Sequence, residues 1–470
     1  METRSRDLTT GSIPKHLIIF AIPMLIGNFL QSSYALINTY WVGNFIDTNA
    51  VGATTVTGPI QFMMVAIAIG STIATSILVA QSFGAKDYVT MQRVIGNSFT
   101  LALIFGVILT AVGLLFGDNL LRALNVNPDQ FQAASSYFRL MMIAFIPSFF
   151  SLLITAILRG IGDTITPLIF MAIGVGINAG LDPLLIIGIG PFPRLGTDGA
   201  AIASIISQVI GLTIALLYLN SKNHFVAVRL SKFSFDKLTA KKIVKVGFPT
   251  MIQQSAVSIG AAVVFSIVNG FGEAATNAYG GCGRLEMFIF LPALSFGMAA
   301  TALTGQNFGA KKMERIHSIY NWAAIFSASV TLILSALLFA FAEPILKVFG
   351  FGGDLPSLLI GIDYIHFVAP SYLFFGLMMV SNGIINGSGK TFLTMIFSLG
   401  AVIFLRVPLA LLFTYVFGLG THGVWIAISI SFITMTFISF FFYRSGIWKK
   451  GRLLTSPPSV NQPVIETTEA

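Results

Sequence analysis

"VAQSFGAKD" at residues 79–87 and "TGQNFGAKK" at 304–312 are two copies of one pattern, 225 positions apart. Each runs from a long apolar stretch into Gly-Ala-Lys, the composition of a helix end followed by a tight turn. Other segments repeat at nearly the same offset. "FAIPMLIGNFLQSS" (20–33) answers "VGFPTMIQQSAVS" (246–258), and "ILRGIGDT" (157–164) answers "IINGSGKT" (384–391). "LGTDGAAIASIIS" (195–207) answers "LGTHGVWIAISIS" (419–431). The chain therefore consists of two related halves, and the segments between the copies define what each half is.

Those segments are apolar. Of 470 residues, 55% are hydrophobic and only 10% charged, against about 25% charged in soluble chains. Runs long enough to cross a hydrocarbon core of about 30 Å as helices recur from end to end. Twelve spans are predicted, at 16–43, 51–82, 93–117, 135–159, 164–189, 197–220, 242–270, 276–306, 316–342, 359–386, 391–417 and 421–444. The first is too long for a signal-peptide core and no small-residue cleavage site follows it, so it reads as an uncleaved span. Six spans per half is an even number, so both copies enter the membrane in the same direction. The predicted fold is thus an all-α integral membrane protein: twelve transmembrane helices in two six-helix lobes, related by a parallel pseudo-two-fold repeat. The predicted divisions are an N-terminus at 1–15, an N-lobe at 16–220, a basic connector at 221–241, a C-lobe at 242–446 and a disordered tail at 447–470.

Lysine and arginine favour cytoplasmic segments. With both termini inside, 21 of the 27 Lys and Arg lie on the cytoplasmic side, four lie outside, and two, Arg284 and Arg406, lie within spans. The net charge of +9 follows this topology and does not imply nucleic acid. The single cysteine, Cys282, excludes an intramolecular disulfide and a cysteine metal cluster. No Gly-x-x-x-x-Gly-Lys-Ser/Thr loop is present, because the "GSGKT" at 387–391 lacks the required first glycine. The five histidines are scattered, and no nucleophile and base pair up in sequence. Neither a resident cofactor nor an enzyme is expected.

The informative residues are polar groups inside the spans. Asp182 stands in "AGLDPLLIIGIG" (179–190), where an ionised carboxylate costs about 2.5–3.5 kcal/mol on insertion scales. That cost falls when the group is protonated or pairs with a cation. Asn178 lies one turn earlier on the same helical face, and a carboxylate with an amide oxygen suits Na⁺. The structural alternative is an Asp that caps a helix break at Pro183. Glu286 lies in the eighth span, with Arg284 two residues before it. Two residues turn a helix by about 200°, so these two point apart, and Arg406 is a candidate partner for Glu286. Pro23 removes a backbone bond from the first span and makes a bend there cheap. Gln253 and Gln254 place amides along the seventh span, answering Leu30 and Gln31 of the first.

The two sixes of spans, "QSFGAKD" and "GQNFGAKK", "RGIGDT", "NAGLDPLL" and "RLEMFIFLPALSFGMAATALTGQNFGA", in this order over about residues 15–445, resemble the MATE family of multidrug and toxin extrusion transporters. The resemblance implies two lobes around a central cavity. It also implies export of cationic or aromatic compounds by antiport against H⁺ or Na⁺, from a monomer in a bacterial cytoplasmic membrane. The implied partners are small molecules, organic cations among them, and membrane lipid. It implies a cation-coupling group of Asp182 and Asn178, joined by Ser204 and by the first-span position held here by Asn38, where many members have Asp. Glu286 would couple from the C-lobe. Gln31, Tyr34, Ser151, Thr155 and Met171, with Gln253, Gln254 and Arg284, would line the substrate cavity, and Pro23 would be a hinge. The alternative is a lipid or lipid-linked flippase of the same broader superfamily. Such proteins line the cavity with several basic residues, and only two arginines are expected within spans here.

Overall fold

The computed structural model describes residues 5–46, 48–123, 126–221 and 235–450, without the side chains at 34–40, 42–44, 48–56, 59, 62 and 63. Asn38 and Tyr34, two of the expected site residues, lie outside the described side chains. The described chain is helical, with no strand. The first lobe holds α1 (Ile13–Phe45), α2 (Thr48–Gly84), α3 (Tyr88–Ala123), α4 (Pro128–Gly160), α5 (Ile165–Gly188) and α6 (Gly196–Ser221). The second holds α7 (Lys237–Asn269), α8 (Glu273–Gly309), α9 (Met313–Ala340), α10 (Leu355–Gly387), α11 (Thr391–Val416) and α12 (Thr421–Arg444).

All twelve expected spans are present. Several begin earlier than their apolar windows because polar caps extend them. Asn127 accepts from the Asp129 amide at 3.2 Å, with Pro128 opening α4. Asp354 caps α10 through the Ser357 amide. Asp236 accepts from the Thr239 amide at 2.9 Å and so starts α7 inside the stretch expected to be connector. That stretch shortens accordingly: α6 runs to Ser221, and Lys237 and Lys241 are helical.

The repeat is physical at one end of the bundle. Lys86 and Lys311, equivalent in the two copies, both adopt left-handed backbone, with φ of 58° and 59°. Just before them the copies touch. A Cβ on Gly84 would lie 1.9 Å from the Gln306 carbonyl oxygen, and one on Gly309 would lie 1.9 Å from that of Gln81. The Gln81 amide donates to Gly387 O at 2.9 Å, and the Gln306 amide donates to Gly160 O at 3.0 Å. This end, where the lobes interlock, is the closed end.

Here each lobe's first helix crosses into the other lobe. Leu17, Phe20 and Met24 of α1 pack with Ala299, Leu303, Ile319 and Val380 of the second lobe. Ile243 and Val246 of α7 pack with Leu78, Val94 and Phe99 of the first. The expected divisions at 16 and 242 fall inside α1 and α7, and both helices pack against the other half of the chain. Pro23 and Pro249 lie inside the two crossing helices.

The first described residues, and the stretch just after α12, pack at this end. The Leu8 amide donates to Gln306 Oε1 at 2.9 Å, and Asn307 Nδ2 donates to Leu8 O at 3.1 Å. The Arg6 amide donates to Ile161 O of the first lobe at 3.1 Å, so residues 6–8 tie the two lobes together. The expected disordered tail starts ordered: Trp448 is buried, stacks on Tyr443 and donates to its carbonyl at 2.8 Å.

Candidate functional site

Pro183 cannot donate to the turn before it, and α5 answers by widening into a π-turn over Leu184–Gly188. This turn is clamped from α6. A Cβ on Gly199 would lie 2.4 Å from Leu185 O, an approach that only glycine permits. The clamp sets the first turns of α6 alongside the end of α5, where Asp182 and Asn178 are both fully buried. Asn178 Nδ2 donates to Asp182 Oδ1 at 3.2 Å. Among the described residues no backbone amide donates to Asp182, so it is not seen to cap the break at Pro183. Among the described residues Asp182 Oδ2 and Asn178 Oδ1 are buried without a hydrogen-bond partner. Two orphaned hard oxygens one turn apart are costly in a membrane interior. Ser204 is buried on α6 and donates to Ala200 O at 2.9 Å. Among the described residues no three His, Cys, Asp or Glu side chains converge. A site with a single carboxylate suits a proton or a monovalent cation better than a divalent metal.

The second lobe repeats the backbone but not the chemistry. Pro408 follows Pro183 at the repeat offset, α11 carries π-turns at Gly400–Arg406 and Leu412–Val416, and a Cβ on Gly423 would lie 2.6 Å from the Thr414 nitrogen. The carboxylate of this lobe comes from α8 instead. Tyr364 and Tyr372 both donate to Glu286 Oε1, the Tyr372 bond at 2.6 Å. Tyr279 stacks on Trp425 with ring centroids 5.7 Å apart, and Tyr364 meets the same indole edge-on at 4.6 Å. The orphaned polar atom in this cluster is neutral, Trp425 Nε1. The expected Glu286–Arg406 pair is not a contact. Arg406 donates to Ser431 Oγ at 2.8 Å and lies over the Phe432 ring at 4.6 Å. Both side chains found closer polar and aromatic partners.

The expected cavity residues divide. Gln31 is exposed on α1. Met171 packs on α1, its methyl 2.6 Å from where a Gly27 Cβ would stand. Gln253 is held within its own lobe by Ser398 at 2.8 Å. Counted from Pro23 and Pro249, Gln254 falls at Asn28 and not at Gln31. Asn28 itself bridges the lobes, donating to Ser295 Oγ of α8 at 3.2 Å, and Phe29 meets Phe288 of α8 at 5.7 Å. Ser151 and Thr155 are half-buried on α4. The Thr155 carbonyl accepts from Arg159 Nε at 3.3 Å.

Arg159 is a residue that the sequence analysis did not single out. It lies within α4, half-buried, with Nη1 3.9 Å from Met298 Sδ of the other lobe and no carboxylate partner among the described residues. The signal available was its position one residue before the glycine that ends α4.

Two six-helix lobes, an interlocked seam and polar groups buried at helix breaks define a multi-pass membrane transporter and not an enzyme. The sequence model of the MatE family matches residues 23–184 and 249–412, so the chain belongs to that family. It is similar to the probable multidrug resistance protein YpnP of Bacillus subtilis, 29% identical over 96% of this chain and 99% of that one. The probable multidrug resistance protein NorM of Thermotoga maritima is 27% identical, over 94% and 95% of the two chains. A solved transporter of the MOP superfamily from Pyrococcus furiosus superposes with a TM-score of 0.88 at 26% identity, covering 96% of this chain and all of that one.

Proposed function

We propose that this protein is a multidrug efflux antiporter. It exports cationic or aromatic organic compounds across a bacterial cytoplasmic membrane in exchange for H⁺ or Na⁺. Both termini, and with them the interlocked end, face the cytoplasm, a reading supported by the excess of Lys and Arg in the segments on that side. The observation that carries this reading is the buried pair of orphaned oxygens, Asp182 Oδ2 and Asn178 Oδ1. A cation from outside satisfies them. The same carboxylate, once vacated, favours a cationic substrate, because one charge cannot be neutralised twice. Substrate and ion therefore exclude each other, directly or through the bend at Pro23. For a substrate without net charge, one charge moved through about 100 mV yields about 2.3 kcal/mol, enough for a roughly 50-fold gradient; exchange of a monovalent cationic substrate for one ion is electroneutral and draws on the ion's concentration gradient alone. The multidrug names of the relatives support the substrate range.

The test is ethidium efflux from energised cells carrying wild type or Asp182→Asn, with Na⁺ and pH pulses applied separately. Wild-type export that responds to one pulse and is lost in the variant supports the scheme and identifies the ion. Equal export by both proteins overturns it.

A further inference from the structure

One face of α8 meets α1 of the other lobe. Ser295 receives Asn28 of α1, and Phe288, seven residues earlier, meets Phe29 of α1. Arg284 and Asn277 continue the same stripe toward the other end of the helix, at spacings that keep all four within about 40° of one another on a regular helix. Both are exposed, and neither has a hydrogen bond, ion pair or ring contact within the described structure. They line a recess of about 410 Å³ with Thr276, Gly280, Phe351 and Asp354. The space at Gly280 is open, since a Cβ there would meet nothing within 4 Å, whereas one on Gly281 would lie 2.2 Å from the Phe351 ring. Asp354 is committed elsewhere, capping α10 through the amide and hydroxyl of Ser357. At the closed end the same α8 face meets Arg159 through Met298, a second guanidinium without a carboxylate.

An unpaired ionisable side chain in a membrane helix marks a binding function by default, and a planar guanidinium matches carboxylate or phosphate through two parallel hydrogen bonds. We propose that Arg284, assisted by Asn277, is an anion-binding subsite on the second lobe's wall of the cleft. It takes the carboxylate or phosphate of an amphoteric aromatic substrate. This rests on the efflux reading above and narrows it. The preferred substrates carry an anionic group in addition to any cationic one.

The experiment uses the full-length protein in phosphatidylcholine vesicles and two fluorescent probes: a fluoroquinolone with its free carboxylate, and its methyl ester, which keeps the ring and the amine. The expected result is at least tenfold tighter binding of the acid than of the ester by wild type. The ratio falls below threefold in Arg284→Gln and is partly retained in Arg284→Lys, with melting temperatures unchanged. A wild-type ratio near one, or a full ratio in Arg284→Gln, overturns the proposal. Repeating the measurement in phosphatidylglycerol vesicles separates the sources of the anion. Loss of the acid preference there means that a lipid headgroup phosphate occupies the guanidinium, and an unchanged preference leaves a soluble substrate as the occupant. Wild-type ethidium export, measured in the same vesicles, tests the efflux reading separately. Its absence sinks that reading while the acid-to-ester ratio still reports on Arg284.

Discussion

The carboxylates Asp182 and Glu286 occupy opposite lobes and opposite situations. Asp182 has a buried oxygen without a partner beside a second orphaned oxygen on Asn178. Glu286 has an oxygen that accepts two phenols, inside a cluster of tightly packed rings. Both look alike in sequence, single acids in apolar spans. A buried acid with its hydrogen bonds made holds helices together, whereas one left short of partners is held ready for a ligand. The repeat gave both lobes a proline and π-turn on the fifth helix, yet placed an acid beside that break only once.

The largest expected effect is on Asp182. Asp182→Asn should lower efflux at least tenfold while the melting temperature stays equal or rises, because an amide is easier to bury than a charge. Efflux and a thermal melt on the same preparation check both halves. Glu286→Gln should do the reverse in kind. Losing charge-assisted bonds from Tyr364 and Tyr372 costs about 1.5–3 kcal/mol, seen as a lower melting temperature, with coupled efflux retained by the protein that remains folded. If Glu286→Gln melts normally and exports nothing, the two acids have exchanged roles and the contrast fails.

The closed end sharpens the contrast from the other side, since there the lobes are equivalent. Gly84→Ala and Gly309→Ala each drive a methyl into the facing carbonyl, so both should part the seam to a similar degree. Ser388, 2% exposed beside Gly387, offers the readout. A cysteine placed there should react with maleimide in either variant but not in the parent, and Cys282, 1% exposed, should add little background. Opening by one substitution alone would show the seam to be asymmetric.

The smallest effect concerns Asp236, which caps α7 and whose own amide donates to Asn97 of the first lobe at 2.8 Å. Asp236→Ala should cost about 1 kcal/mol. Bonds from the Thr239 side chain, then its amide, hold the Asp236 carboxyl below the usual Asp range. A group depressed on folding contributes stability above its unfolded value, 3.8 for an ordinary Asp, and loses it as pH falls through the folded one. A melt titrated downward from pH 5 should therefore drop more steeply in the parent than in Asp236→Ala.

Much of this molecule is written locally. Span number, the six-plus-six repeat, the helix breaks at Pro183 and Pro408 and the Asn178–Asp182 turn depend on hydropathy and on spacings of a few residues. Those properties are legible in "VAQSFGAKD", "TGQNFGAKK" and "NAGLDPLL" because helix geometry fixes them without reference to the rest of the chain. The crossing of α1 and α7 between lobes, the tyrosines that hold Glu286 and the free face of Arg284 are different. So is the tie from Leu8 to Gln306, 298 residues away. No periodicity encodes which distant surface a side chain will meet. That is decided when the lobes pack and each polar group finds a partner or remains without one; among the described residues the tertiary structure leaves buried Asp182 Oδ2 and exposed Arg284 without.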